Sequence, residues 1–117
     1  MTFVPLHSRA ATYAVGVFVL PPLATLPLHD HRGMTVVSRV LLGCAEVAST
    51  DWVDVDRHIA SAITTEMVHP PACHVVLPDH KNIHKIVAGA QGCTFLEVLI
   101  PAYDDDAHRC TYFKVVS

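Results

Sequence analysis

A chain of 117 residues with 8 Lys plus Arg against 11 Asp plus Glu carries a formal charge of −3, and its length fits one domain and excludes two. At 51% hydrophobic and 16% charged, with a mean hydropathy of +0.37, it has the apolar material for a core and is not a disordered segment. Its scattered basic residues and a pI near 6.3 leave no footprint for a polyanion, which excludes nucleic acid as an expected partner.

The longest apolar stretch, Ala14 to Leu28, is 15 residues long and is broken by Pro21, Pro22 and Pro27, whereas a membrane-spanning helix needs about 20. No membrane partner is expected. Ala14 to Leu20, behind His7 and Arg9, has the length of a signal-peptide core, but it leads directly into the first histidine motif and its removal would take away a strand the domain needs. Cys44, Cys73, Cys93 and Cys110 show no CxxC spacing and are too sparse for a disulfide scaffold. A reducing, cytoplasmic setting follows, with Cys44 and Cys73 expected to pack as small hydrophobes.

Residues 1–12 have little periodicity and read as a loosely ordered tail or an edge element, ahead of a folded domain over 13–117. A β-branched and aromatic run from Tyr13 to Leu20 then predicts a strand that stops at Pro21-Pro22. Further strands are expected at Met34 to Leu42, Ala45 to Ser49, Cys73 to Leu77, Ile83 to Ala88, Cys93 to Ile100 and Cys110 to Val116. Turn-rich pieces separate them at Gly43, Asp51-Trp52, Pro70-Pro71, Pro78-Asp79, Gly89 to Gly92 and Pro101 to Asp106, where Asp104 to Asp106 reads as a solvated loop tip. His58 to Met67, with Ile59, Ile63 and Met67 four apart, fits a helix or a strand. Short strands at this spacing, without an internal repeat, predict an all-β sandwich or barrel.

Nine histidines are the chemically informative feature. In LPLHDHRGM, His29 and His31 stand at i and i+2, which in an extended chain puts both rings on one face with Cα atoms about 6.7 Å apart, a chelating separation. After His31 come eleven residues and then Gly43, and an H-x-H pair followed by a glycine in this way resembles the first motif of the cupin barrels. That motif usually carries a glutamate ligand, at the position that Val36 fills here. A site without a carboxylate needs a third ligand from the second motif, and His84 in LPDHKNIHKIVAG stands where it is expected. His80, four residues earlier, would chelate with His84 only on a helix, and Pro78-Asp79 argues for a turn. His58, His69, His74 and His108 lack a matching spacing and read as surface residues or as neighbours of a ligand. Three neutral ligands leave a divalent ion its full charge and open positions for an anionic substrate; zinc suits them too, and raw affinity favours it over Fe(II), so ligand identity alone does not choose the metal.

The blocks PLHDHRGMTV, TTEM, NIH, LEVLIPAY and CTYF, in this order from about Tyr13 to Phe113, resemble the iron-dependent thiol dioxygenases that comprise cysteamine dioxygenase and the plant cysteine oxidases. The resemblance implies a small cupin, a double-stranded β-helix of jelly-roll type, in which His29, His31 and His84 hold a mononuclear non-haem Fe(II). It implies addition of both atoms of O₂ to the thiol of cysteamine or of a peptide's amino-terminal cysteine. It further implies a role for Glu97, which stands where the family often has an aspartate, in orienting a ligand histidine or a bound amine, and a possible thioether between Cys110 and Tyr112. Cys110 and Tyr112, at i and i+2, share one face of the last expected strand, which turns the Tyr112 phenol to the site as a catalytic hydrogen-bond donor. Glu97 also alternates with Cys93, Phe95 and Leu99 on an otherwise apolar face.

The chain departs from the family in several places. His80-Lys81 replaces two glycines before NIH, His108-Arg109 reverses the common order, and the helical amino-terminal extension of many members has no counterpart here, which predicts a more open pocket. The protein is expected to act as a monomer. Rival readings are a non-catalytic cupin that binds a metal or small ligand, or another cupin enzyme using a different metal, such as a zinc isomerase.

Overall fold

The computed structural model describes residues 1–103 and 110–114. The elements are β1 (Thr2–Arg9), β2 (Tyr13–Leu20), β3 (Thr25–Asp30), β4 (Thr35–Thr50), β5 (Trp52–Asp54), β6 (Ile59–Ala60), β7 (Thr64–Val68), β8 (Cys73–Val76) and β9 (Ile83–Ile100).

Two long strands form the spine. β4 and β9 pair antiparallel from Thr35↔Ile100 to Thr50↔Ile83, with register shifts around Leu42 and Gly43. At the middle of the pair Gly43 and Gly92 have φ of 75° and 79°, and a Cβ on Gly43 would collide with the carbonyl of Gly92. Only glycine takes this backbone at so close an approach. The bend divides the ribbon into two sheets. The first half of β4 pairs β8 and the second half of β9 pairs β2, which carries β1 on its outer edge; the second half of β4 pairs β7 and the first half of β9 pairs β3.

Alternation along each strand sends one set of side chains inward. Leu20, Val40, Cys93 and Phe95 of one sheet meet Leu26, Val47, Val68 and Ile86 of the other in the main core. Met34, Val36, Val76 and Leu99 form a second buried cluster against Ala14 and Tyr103. Val36, at the position where the cupin motif usually has its glutamate, is fully buried among apolar neighbours. The radius of gyration is 13.8 Å.

Several expectations change. The strands expected at Met34 to Leu42 and Ala45 to Ser49 merge into β4, and those at Ile83 to Ala88 and Cys93 to Ile100 into β9, although the pairing between the two jumps at the bend from Gly43↔Cys93 to Ala45↔Ala88 and leaves Gly89 to Gly92 without a partner in β4. Residues 1–12 supply an ordered edge strand, β1, exposed throughout. His58 to Met67 is no helix and contains β6 and part of β7. Cys110 to Val116 is not a strand over its described part. Residues 111–113 touch β3 through a single bridge, His29↔Tyr112, flanked by Asp30 N–H to Thr111 O and Phe113 N–H to Leu28 O, and one bridge does not make a ladder. Asp104 to Asp106, His108, Arg109 and the last three residues lie outside the described residues. Cys73 is exposed, not packed.

Candidate metal centre

His29 lies on β3 directly opposite His84 on β9, and His31 follows one residue beyond the end of β3. A bulge prepares the pair. Between Leu26 and His29 two residues of β3 face one of β9, and the extra one accommodates Pro27, which has no N–H to give to the ladder. The carbonyl of Pro27 then accepts from Nδ1 of His29 at 2.6 Å.

The three imidazoles converge. Ring centroids are 4.6 Å apart for His29 and His31, 4.7 Å for His29 and His84, and 4.4 Å for His31 and His84. One ligating nitrogen from each lies within 4.8 Å of the other two, and all three side chains are buried. His80 takes no part; it is exposed in a tight turn that closes with Leu77. His7, His58 and His69 are exposed as well.

Each ring has its Nδ1 engaged away from the cluster. His29 donates to Pro27 O, His31 donates to Asn82 O at 2.8 Å, and Nδ1 of His84 is 3.3 Å from Nε2 of His74. A carbonyl only accepts, so Nδ1 carries the proton in His29 and His31 and Nε2 is a bare lone pair. Burial lowers the pKa of each ring, for His31 to about 4 with the neighbouring His29 adding to the effect, and for His84 well below the ordinary value with His31 and His29 contributing. Neutral imidazoles facing one another with lone pairs, and no protein proton between them, suit a divalent cation.

A cavity of about 460 Å³ opens on His29 and His31 and is lined mainly by apolar side chains, including Phe3, Phe18 and Leu99. Glu97 lines it too. Its side chain is 6% exposed, its carboxylate is 3.5 Å from Ser38 Oγ, and burial pushes its pKa up to about 7. Tyr112 lines the cavity from the other side, more than half exposed, with its ring 5.7 Å from that of His29. Cys110 lies beside it; burial raises the thiol pKa, against hydrogen bonds with the Tyr112 and Tyr103 side chains.

Three neighbours of this cluster, Tyr103, Asn82 and Asp51, carry no role in the sequence pattern, while His74, of the two readings open to it, takes the one beside a ligand histidine. Tyr103 lines the cavity 6.0 Å from His31, with its hydroxyl donating to Asp30 O at 2.8 Å. Asn82 holds His31, and Asp51 holds the chain before it by accepting from Lys81 N–H at 2.8 Å and Asn82 N–H at 2.9 Å. His74 is buried against His84 and paired to Glu66. Tyr103 and Asn82 stand within the LEVLIPAY and NIH blocks, which was the available signal; nothing local marked Glu66 with His74.

A bent antiparallel ribbon closed on a buried trio of histidines defines a cupin with a three-histidine centre. The solved structure of a cupin 2 domain-containing protein from Halorhodospira halophila shares this fold, with a TM-score of 0.71 and 22% identity over 97% of this chain and 70% of that one. The PCO_ADO family model matches residues 1–117, and the chain belongs to that family. It is 34% identical over 113 residues to the probable 2-aminoethanethiol dioxygenase of Dictyostelium discoideum, covering 90% of this chain and 52% of that protein. It is 34% identical over 122 residues to plant cysteine oxidase 1 of Arabidopsis thaliana, covering 97% of this chain and 41% of that one. The chain thus spans about half the length of these curated relatives.

Proposed function

We propose that this chain is a non-haem Fe(II) thiol dioxygenase, with His29, His31 and His84 as metal ligands and cysteamine or an amino-terminal cysteine as substrate. The observation that carries the reading is the convergence of three neutral imidazoles with Val36 in place of a carboxylate. Bound iron would supply a Lewis acid that lowers the thiol pKa and a redox centre that brings thiolate and O₂ together. The overall change is R–SH + O₂ → R–SO₂H, so both oxygen atoms end on sulfur and no further reductant is needed.

The protein's own groups serve this change in distinct ways. The apolar wall of the cavity, with Phe18, Leu26 and Leu99, excludes water from the reacting sulfur. Burial makes Glu97 hold a proton, and a cationic amine arriving beside it stabilises the carboxylate, so that the proton passes to solvent and the carboxylate holds the amine. Tyr112 offers an O–H donor on the cavity wall where negative charge develops on oxygen. A reducing, cytoplasmic setting fits the four free thiols, and a monomer is the proposed state.

The test is anaerobic loading with Fe(II), followed by oxygen with cysteamine, free cysteine or a peptide beginning with cysteine. A gain of two oxygen atoms by the thiol is the expected result. Iron bound at the three histidines without any such gain would favour a non-catalytic cupin.

A further inference from the structure

His84 differs from the other two histidines of the cluster in what fixes it. His29 and His31 donate to backbone carbonyls, which hold one tautomer by themselves. His84 instead faces another imidazole, and two imidazoles can share a proton in either sense. What breaks the symmetry lies one step further out.

His74 sits on β8, where the alternating pattern sends it and Val76 inward, and its side chain is 4% exposed. A small void beside it is lined by Val40, Val47, Ile86 and Phe95, so both ring nitrogens must be satisfied by protein groups. Nε2 meets Nδ1 of His84 at 3.3 Å, and Nδ1 meets Oε1 of Glu66 at 3.0 Å. Glu66 comes from β7. Because β8 and β7 occupy successive stretches of one edge of β4, opposite Ser38 and Val47 respectively, they bring His74 and Glu66 together. Lys81 Nζ stands 3.6 Å from the same Glu66 oxygen.

A carboxylate can only accept, so Nδ1 of His74 carries the proton and its Nε2 is a lone pair. Nδ1 of His84 must then donate, which leaves Nε2 of His84 bare toward His29 and His31. The opposite arrangement would set a lone pair of His74 against the negative charge of Glu66. Burial alone would raise the Glu66 pKa, but the hydrogen bond from His74 and the charge of Lys81 outweigh it, and the carboxyl stays below its ordinary value.

We infer that Glu66 and His74 form a positioning relay, Glu66 to His74 to His84, that selects the ligating tautomer of His84 and brings a carboxylate's charge to a centre whose own ligands are all neutral. The relay rests on the three-histidine metal reading above. It does outside the ligand shell what a carboxylate ligand does inside it in other metal sites, making the bound imidazole a stronger donor.

Co(II) serves as the probe, with its affinity measured by competition against a chelator and its ligand-field absorption recorded alongside. His74→Leu and Glu66→Ala are expected to bind Co(II) about 10- to 100-fold more weakly with altered absorption bands. Glu66→Gln, which keeps an oxygen acceptor for Nδ1 of His74, is expected to recover part of the loss and of the spectrum. Glu66 is exposed, so its variants separate the relay from a packing defect at His74. Wild-type affinity and spectrum in Glu66→Ala would overturn the relay and leave the metal centre standing. Failure of the unaltered protein to bind Co(II), or full binding in His84→Ala, would overturn the metal reading and the relay with it.

Discussion

Asn82 and His31 clasp each other across the mouth of the barrel. The Asn82 carbonyl accepts from Nδ1 of His31 at 2.8 Å, its side-chain oxygen faces the His31 N–H at 3.2 Å, and its side-chain amide donates to the His31 carbonyl at 2.8 Å. The same amide also donates to Leu77 O at 2.9 Å, so one buried side chain ties the tip of β3 to the turn before β9. His31 is beyond the last residue of β3, and this clasp does for it what strand pairing does for His29.

Removing the clasp should therefore cost both fold and metal. In Asn82→Ala the buried His31 carbonyl loses its Asn82 donor, which costs about 1–3 kcal/mol where water cannot replace it, while the exposed Leu77 keeps the His80 N–H. The ring of His31 keeps its backbone acceptor but loses the frame that places it, and metal affinity is expected to fall about 10- to 100-fold. Urea unfolding of the metal-free protein and chelator competition measure the two losses separately. Unchanged metal affinity would show that β3 alone places His31.

The ligands themselves make a sharper contrast. His29→Ala, His31→Ala and His84→Ala are each expected to abolish stable metal binding, whereas His80→Ala is expected to keep it, since His80 is exposed in its turn. Metal content after gel filtration reads the outcome. Loss of metal in His80→Ala with retention in His84→Ala would reverse the assignment.

Lys81 has a φ of 54°, in the left-handed region that favours glycine. The carboxylate of Asp51 holds this conformation through the Lys81 and Asn82 N–H groups. A left-handed non-glycine residue costs about 1–2 kcal/mol, while glycine adds unfolded-state entropy of a similar size. Lys81→Gly is thus expected to change stability by less than about 1 kcal/mol, and Lys81→Val to destabilise by about 1–2 kcal/mol. Thermal denaturation of the two variants checks the difference; equal melting temperatures would remove the strain argument.

Glu97 gives a pH prediction whose sign is fixed by its cavity. Burial raises its folded pKa to about 7 from an ordinary 4.5, so the folded state holds the proton that the unfolded chain releases. Its contribution to stability is complete below about pH 4.5 and is lost as pH rises through about 7, amounting to about 3 kcal/mol at most. The buried histidines titrate in the opposite sense, with their folded pKa lowered, so the comparison that isolates Glu97 is the difference between wild type and Glu97→Gln. In metal-free protein, wild type should lose stability relative to Glu97→Gln between these pH values. A bound divalent ion would move the window lower. Parallel curves would place Glu97 in a wetter site than its burial describes.

The ligand trio was legible because its parts are local. H-x-H on an extended segment, a third histidine in NIH and a vacant glutamate position at Val36 are all readable without the fold, and the barrel then brings them together. The glycines misled for a physical reason: Gly43 and Gly89 to Gly92 look like turns in sequence, yet they stay within β4 and β9, whose pairing slips there from Gly43↔Cys93 to Ala45↔Ala88 and then resumes. Glu66 and His74 could not be paired in advance. Their meeting depends on β7 and β8 sharing one edge of β4, a register relation that no spacing along the chain encodes. Tyr112 was placed on a strand face, and it is held instead by one bridge to His29, which still turns it to the cavity.

Tyr112 and Cys110 carry the last prediction. Tyr112 stands on the cavity wall beside His29, and Cys110 and Tyr103 line the same cavity. Tyr112→Phe is expected to retain metal and to lose turnover, by about 10²- to 10³-fold if its hydroxyl is the main donor to the developing charge. Since Tyr112 is exposed over more than half its surface, the substitution should leave the fold intact, which thermal denaturation verifies. A thioether between Cys110 and Tyr112 would form with loss of one hydrogen from the thiol and one from the phenol ring, the two electrons passing to dioxygen. The protein recovered after turnover would then be two hydrogen atoms lighter than its reduced sequence, a deficit that survives strong reductant and disappears in Cys110→Ser. Peptide mapping separates a bond to Tyr112 from one to Tyr103, which lines the same cavity. Full reduced mass after many turnovers would eliminate the crosslink, and undiminished turnover in Tyr112→Phe would independently eliminate the donor role.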